Sequence, residues 1–277
     1  MSVLSGRIHS LIVRFLGYRA MCRTLLLGSI LFGAALLSAQ AQAQEAARAE
    51  QIIKRAVEAL GGQNFLNVRS ITSRGRYTQY QDGKPTVPVA FVDYLVYPDR
   101  ERTEFRASEG RIIQTNVGKT GWVYDGAART LRDMKPDQIA DFQRAMRTSY
   151  DNVTRGWWRA EGARLSYVGR REAGVARRNE VVRLDYSDGF SVEFEFDART
   201  GLPAKAIYKR RNDKGEESTE EDRFLRFLDV NGVMFPFVVD HYRDGVQTSR
   251  VNYDEVEFNR PIPDALFARP ADARSVK

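Results

Sequence analysis

Only a few side chains in the sequence have the type and spacing that catalysis would need. The clearest is His241, which stands between Asp240 and Tyr242; a histidine beside a carboxylate can act as a general base. No serine follows the nucleophile-elbow pattern, and the residues around His241 alternate in polarity as they do along a β-strand. We therefore predict that His241 has no catalytic role and that the protein is not an enzyme.

Two further patterns have simpler explanations than catalysis or phosphate binding. Glu193 and Glu195 are two acids in sequence, as a glycosidase would need, but alternate positions of a strand place both on its polar face, in solvent. The Gly-Lys-Thr at 118–120 resembles the end of a phosphate-binding loop, but Ile113 occupies the place of the first glycine. After residue 43 only one histidine and no cysteine remain, too few for a usual zinc site. The sequence predicts no catalytic residue, no metal site and no cofactor.

The first 43 residues have the features of a secretory signal peptide. An uncharged apolar run at 24–37 follows four arginines, and no acidic residue occurs before Glu45. Small-x-small cleavage sites end at Ala41 and Ala43, and the run is shorter than the ~20 residues of a membrane-spanning helix. Cys22 precedes the run, so it is not a lipid-anchoring cysteine. We predict cleavage near Ala41 or Ala43 and a periplasmic product.

The charge of the chain gives no indication of nucleic-acid binding. Removing residues 1–43 takes four of the 43 basic residues and none of the 36 acidic ones, which lowers the net charge from +7 to +3. The basic cluster at 209–211 is followed closely by the acids of 216–222. Such mixed charge is typical of solvated strand ends and turns, and we predict no nucleic-acid partner.

Strand-like runs between Asp-Gly and Asn-Gly pairs dominate residues 181–258, and similar runs begin near residue 69. These pairs supply the positive φ angles of tight hairpin turns. In one run Phe190, Val192, Phe194 and Phe196 alternate with polar residues, a period of two that indicates a half-buried antiparallel strand. The pattern predicts one antiparallel sheet with an apolar face.

Two helical segments are expected to cover that apolar face. Residues 45–60 repeat apolar positions on one helical side and end at two glycines. Residues 135–155 interrupt the strands and carry an apolar stripe that includes Phe142 and Met146. We predict that this inserted helix is a lid, or else an ordinary packed helix, and that residues 44–277 form a single domain.

The load of aromatic residues is high, with 15 Phe, 12 Tyr and 3 Trp in the whole chain. A curled sheet that its helices do not fill completely leaves an apolar cavity sized for acyl chains. The candidate cavity residues are Phe91, Trp122, Tyr124, Phe142, Met146, Trp157, Phe190, Phe194, Phe196, Tyr208, Phe235 and Phe237. Within this set, one shared cavity is expected for Phe142, Met146, Phe194, Phe196 and Phe237.

Five segments resemble the LolA-like exported proteins, a family that includes periplasmic carriers of outer-membrane lipoproteins. They are 61–71, 118–126, 196–208, 230–239 and 255–270. The resemblance covers residues 45–270, although 136–158 and 164–178 depart from the carrier pattern. It implies a mainly β (α+β) fold, a curved antiparallel half-barrel sheet of about eleven strands with helices as a lid. It also implies that acyl chains bind inside.

These observations predict a periplasmic carrier or binder that holds lipoprotein acyl chains, or another apolar ligand, in the half-barrel. Its partners would be the lipids and a membrane-associated donor or acceptor protein, in a pathway such as outer-membrane lipoprotein sorting. Two alternatives stay open at this point. One is a periplasmic sensor or regulatory protein that detects lipidated ligands; the other is a hydrolase of unknown type.

Overall fold

The strand-like runs form one antiparallel sheet in the computed structural model, which describes residues 42–211 and 214–276. Almost all of the predicted signal peptide, residues 1–41, lies outside the described residues. The strands are β1 (Ser70–Gln81), β2 (Lys84–Pro85), β3 (Val89–Val96), β4 (Arg100–Ala107), β5 (Gly110–Val117), β6 (Thr120–Asp125), β7 (Thr130–Asp133), β8 (Arg164–Glu172), β9 (Arg178–Asp185), β10 (Ser191–Asp197), β11 (Pro203–Arg211), β12 (Glu217–Val230), β13 (Val233–Arg243) and β14 (Val246–Phe258).

Most strands pair with the strands that precede and follow them in the chain. The order in the sheet is β7-β6-β5-β4-β3-β1-β14-β13-β12-β11-β10-β9-β8, with the short β2 beside β1. The first and last long strands, β1 and β14, meet in the middle of the sheet. The edges β7 and β8 do not pair with each other, so the described sheet is a curved half-barrel and not a closed one. The predicted fold class is confirmed, and the described strands number fourteen where the resemblance implied about eleven.

The hairpin turns follow the predicted Asp-Gly and Asn-Gly pairs. Both residues have positive φ at Asp82-Gly83, Asn231-Gly232 and Asp244-Gly245, with values between 49° and 80°. That combination belongs to the type I′ turn, whose twist matches the strands on either side. These local signals therefore set the lengths of the strands that they join.

The helices are α1 (residues 42–60), α2 (Gln63–Leu66), α3 (Pro136–Thr148) and α4 (Tyr150–Arg155). Pro136 begins α3, where its missing N–H is not needed. Ser149 has an extended ψ of 138° and its side chain accepts a hydrogen bond from the Asp151 N–H, so it ends α3 and caps α4. No helix in the described part of the chain combines the length and apolar character needed to cross a membrane.

Residues from Ala49 onward form one compact unit with two apolar clusters. In the first cluster, Ile52, Ile53 and Ala56 of α1 pack on Phe194 and Phe196 of β10. The second joins the end of α1 and α2 to residues of β1, β13 and β14. The α1 C-terminus lies so near the β12–β13 turn that a Cβ on Gly61 would stand 2.2 Å from the Gly232 carbonyl oxygen.

The prediction that Glu193 and Glu195 are both solvated is wrong for Glu195. Its side chain is 1% exposed, and it accepts hydrogen bonds from Arg171 at 2.8 Å and from Asn179 at 2.7 Å. Arg171 also binds Glu193 at 2.7 Å. Arg171 of β8 and Asn179 of β9 cover this part of the polar face of β10 and exclude water from Glu195.

Candidate ligand-binding site

A cavity of about 320 Å³, here called the central cavity, lies between the sheet and the junction of α3 with α4. Strands β1, β3, β4, β11, β12, β13 and β14 supply its floor, and Ala145, Thr148, Ser149, Tyr150 and Asp151 supply its cover. The volume is at the lower end of the ~300–1,000 Å³ range of small-molecule pockets. The inner face of the half-barrel is therefore not completely filled.

Aromatic rings form much of the wall of the central cavity. The rings of Phe235 and Tyr253 are 5.1 Å apart, edge to face, and those of Tyr150 and Phe224 are also 5.1 Å apart. Four residues add aliphatic surface to this wall: Ile71, Leu95, Val239 and Val251. Binding of an apolar group to such a surface is favourable because it removes apolar surface from water.

Two carboxyl groups, Asp93 and Glu101, face the central cavity from β3 and β4 and are half-buried. Burial raises the pKa of Asp93 to about 6, although a hydrogen bond from Thr103 opposes the rise. Burial, and then the charge of Asp93, raises the pKa of Glu101 to about 8. Near neutral pH the empty cavity therefore holds at least one protonated carboxyl group.

A second polar pair, Asp222 and His241, lines the central cavity from β12 and β13. These two residues lie opposite each other across the two strands, and His241 Nδ1 contacts Asp222 Oδ1. Burial lowers the pKa of His241, but the Asp222 hydrogen bond and charge outweigh burial, so the net pKa is raised. His241 and Asp222 thus form a hydrogen-bonded pair within the wall, which is an ion pair when the imidazole is protonated.

Arg155 holds α4, and with it Tyr150 and Asp151, against the rest of the fold. Its Nε is 2.8 Å from Asp151 Oδ1. Its other N–H groups donate to the carbonyls of Phe65, Leu66 and Val68 at 2.9–3.4 Å. The rings of Phe65, Tyr97 and Trp157 surround the guanidinium group. The position of Tyr150 in the cavity wall therefore depends on Arg155.

Helix α3 is held less tightly than α4. Of its residues only Phe142 and Thr148 are buried, whereas residues 150–154 of α4 are all buried. The α3 ion pairs join Asp141 to Arg210 and Arg147 to Glu161 and Asp188, and all their side chains are at least 26% exposed. Exposed pairs contribute about 0–1 kcal/mol each. Among the two helices of the inserted segment, α3 therefore fits the predicted lid and α4 belongs to the core.

A second concavity of about 690 Å³, here called the outer groove, follows the side of α3. Phe142 and Met146 of α3 line it together with Phe190. The charged residues of its lining are balanced, with three acids, namely Asp99, Glu161 and Asp188, and three bases, namely Lys119, Arg144 and Arg147.

The structure brings only some of the predicted cavity residues together. Tyr208 and Phe235 line the central cavity, Phe142, Met146 and Phe190 line the outer groove, and Trp157 lines a space of about 190 Å³ beside Arg155. The other candidates line none of these three spaces; they are Phe91, Trp122, Tyr124, Phe194, Phe196 and Phe237.

These other residues pack against different parts of the fold. Phe194 and Phe196 are covered by α1 in the first apolar cluster, so they do not share a cavity with Phe142. Phe237 packs edge to face on Phe235.

On β3, Phe91 packs on Phe105 and Tyr253. The Trp122 Nε1–H donates to the Phe267 carbonyl at 3.2 Å. Tyr124 is half-buried on β6. The single shared cavity expected from the sequence is divided because different segments cover different parts of the apolar face.

Sequence reasoning missed the carboxyl groups of the central cavity. Asp93 lies two residues after Phe91 and two before Leu95 on β3, so the three side chains point to the same face of the strand. The period of two therefore already places an acid on the apolar face. An acid at such a position needs an explanation. The Asp222–His241 contact carries no such signal, because it depends on the pairing register of β12 with β13.

We expect the free energy of unfolding of the ligand-free protein to fall by several kcal/mol as pH rises from about 5 to about 9. Asp93 and Glu101 keep their protons longer in the folded state, so their contribution is complete below the unfolded pKa near 4 and is lost as pH passes about 6 and about 8. The raised pKa of His241 acts in the same direction.

Urea unfolding across this pH range measures the effect. The variant Glu101→Gln should flatten the alkaline part of the profile, while Glu109→Gln, the same change on an exposed turn, should not. A stability that rises with pH in the wild-type protein would contradict the prediction.

No protein-family model matches the sequence, and no curated protein sequence matches it. Solved structures are similar in fold. A LolA superfamily protein from Nitrosomonas europaea has 14% identity and a TM-score of 0.54, over 79% of this chain and 97% of that one. A DUF1329 family protein from Desulfovibrio piger has the same identity and coverage with a TM-score of 0.57. The chain therefore has a LolA-like fold.

Proposed function

We propose that the protein is a periplasmic, non-enzymatic carrier or binder of an apolar ligand, such as a lipoprotein acyl chain, held in the central cavity. The observation that carries the proposal is that cavity, an unfilled space with aromatic walls on the inner face of the half-barrel. The resemblance of five segments to a family that includes lipoprotein carriers supports the same role.

The binding energy would come from removing apolar surface from water. Each buried CH₂ group contributes roughly 0.8 kcal/mol, so an alkyl chain needs no specific polar contact to bind. Entry and release require a movable cover, and α3, with its two buried residues, is the element that can open at least cost. A membrane-associated donor or acceptor protein would then offer the ligand a competing site.

Two matched substitutions on α3 test which space holds the ligand. Ala145 and Ala140 are both exposed helix residues, but Ala145 borders the central cavity and Ala140 the outer groove. We expect Ala145→Trp to weaken binding of the neutral fluorescent probe N-phenyl-1-naphthylamine by about tenfold or more, because the indole would occupy the cavity. Ala140→Trp should change the affinity by less than about twofold.

The reverse pattern would move the site to the outer groove. If delipidated wild-type protein binds no apolar probe, the proposed function is wrong.

A further inference from the structure

Acidic side chains outnumber basic ones in the lining of the central cavity, where the basic side chain is that of His241. Four carboxyl groups face it, and no lysine or arginine is among its lining residues. The four are Asp93, Glu101, Asp151 and Asp222. An apolar pocket for a plain alkyl chain has no need of such groups, since each carboxylate costs free energy when water is removed from it.

Two of the four carboxyl groups have a cationic partner and two do not. Arg155 holds Asp151, and His241 holds Asp222. Asp93 accepts a hydrogen bond from the Thr103 hydroxyl at 2.7 Å. Within residues 42–211 and 214–276, neither Asp93 nor Glu101 forms an ion pair.

The two unpaired carboxyl groups lie side by side. Asp93 stands opposite Thr103 in the β3–β4 pairing, and Glu101 precedes Thr103 by two residues on the same face. They are therefore diagonal neighbours, within reach of one small group. In the sheet order, β1 and β14 lie between this pair, on β3 and β4, and the pair of Asp222 and His241, on β12 and β13, so the two polar pairs occupy opposite ends of the cavity.

Aromatic residues line the same cavity as the unpaired carboxyl groups. The pKa of Tyr253 is raised by burial and then by the charges of Asp93 and Glu101, which places its phenol in their field. Tyr97 and Tyr150 line the same cavity. An aromatic face attracts a cation, most strongly where water is excluded.

We propose that the central cavity binds an amphiphile with a cationic head, an alkylammonium group that lies at Asp93 and Glu101 while its apolar chain lies along Phe224 and Phe235. The proposal rests on the proposed function and names the ligand class for the same site. Carboxylates and aromatic faces both favour such a head, and both disfavour a sulfate or phosphate head placed there.

Binding of this cation is linked to proton release, because the two carboxyl groups are raised in pKa to about 6 and about 8 in the empty cavity. Affinity for a quaternary ammonium should therefore rise with pH over this range. The other titratable or charged groups that face the cavity or hold its wall are Tyr97, Tyr150, Asp151, Arg155, Tyr208, Asp222, His241 and Tyr253. The tyrosines stay neutral because their pKa values are raised, and protonation of His241 at low pH adds positive charge, which acts in the same direction.

Three probes that share a ten-carbon chain test the proposal by calorimetry: decyltrimethylammonium, decanol and decyl sulfate. At about pH 8.5 we expect the cation to bind at least about tenfold more tightly than decanol, and the sulfate to bind more weakly than decanol. At about pH 5.5 the preference for the cation should fall below about threefold.

Variants separate the head-group site from the cavity as a whole. Glu101→Gln and Asp93→Asn should each remove most of the preference for the cation over decanol at about pH 8.5. Glu109→Gln, on an exposed turn, should keep the preference.

Equal binding of the three probes, or a preference for the sulfate, overturns the cationic head and leaves the proposed function standing. A failure of all three probes to bind overturns the proposed function itself.

Discussion

Replacing Arg155 by alanine is expected to lower the free energy of unfolding by roughly 3–5 kcal/mol, the usual cost of removing one partner from a buried ion pair. The Arg155 side chain is 6% exposed and that of Asp151 is 10% exposed. Without the guanidinium group, a buried carboxylate and the carbonyls of Phe65, Leu66 and Val68 would lose their donors. Each unsatisfied buried group adds to the loss.

The comparison variant is Arg159→Ala, the same chemical change at an exposed ion pair. Arg159 binds Glu50 at 2.6 Å, but both side chains are about half exposed, at 51% and 48%. Such a pair contributes about 0–1 kcal/mol. Urea unfolding should therefore show a clearly larger decrease in the free energy of unfolding for Arg155→Ala than for Arg159→Ala. Equal decreases would show that the buried Arg155 contacts stabilise the fold no more than an exposed ion pair does.

Lysine at position 155 should recover only part of the stability. Lysine keeps the charge but has a single ammonium group, whereas the guanidinium fork donates in several fixed directions and stacks on rings. The double change Arg155→Ala with Asp151→Ala should lose less than the sum of the two single changes, because the second removes the unpaired carboxylate.

The sheet could be predicted because its signals are local. The Asp-Gly and Asn-Gly turns need only two residues each, and the alternation along β10 needs seven. The inserted helix was also predictable from the spacing of its apolar residues. Its division at Ser149 was missed, although a serine before an acid is a common helix start.

The central cavity could not be predicted in the same way, because its lining is gathered across the chain. Asp93 meets Glu101 through a hairpin, but both approach Tyr253 only because β1 pairs with β14. That pairing joins residues from the two ends of the sheet-forming segment. No local pattern fixes which part of an apolar face the helices will cover, so the aromatic residues alone could not be divided between core and cavity.

Phe194 of β10 and Phe142 of α3 illustrate this division. After Arg155→Ala, we expect the largest effect on the free energy of unfolding from replacing the phenylalanine of β10. Phe194 is 1% exposed beneath α1, and its cluster contains Ile52, Val182 and Leu184. Phe194→Ala should lower the free energy of unfolding by roughly 3–5 kcal/mol, since the removed ring leaves a cavity that rigid neighbours cannot fill.

Phe142→Ala should cost less, roughly 1–2 kcal/mol, below the usual penalty for a fully enclosed phenylalanine. Phe142 is 8% exposed, but it borders the outer groove of about 690 Å³ and lies on a helix with one other buried residue. Water and the half-exposed Met146 can occupy the vacated space, so no closed void remains. Both variants remove a phenylalanine ring, but one ring lies under α1 and the other lies on α3. The ratio of the two decreases in the free energy of unfolding therefore measures how firmly α3 is attached. Urea unfolding gives that ratio, and a loss for Phe142→Ala as large as that for Phe194→Ala would mean that α3 is part of the core and cannot act as the movable cover of the central cavity.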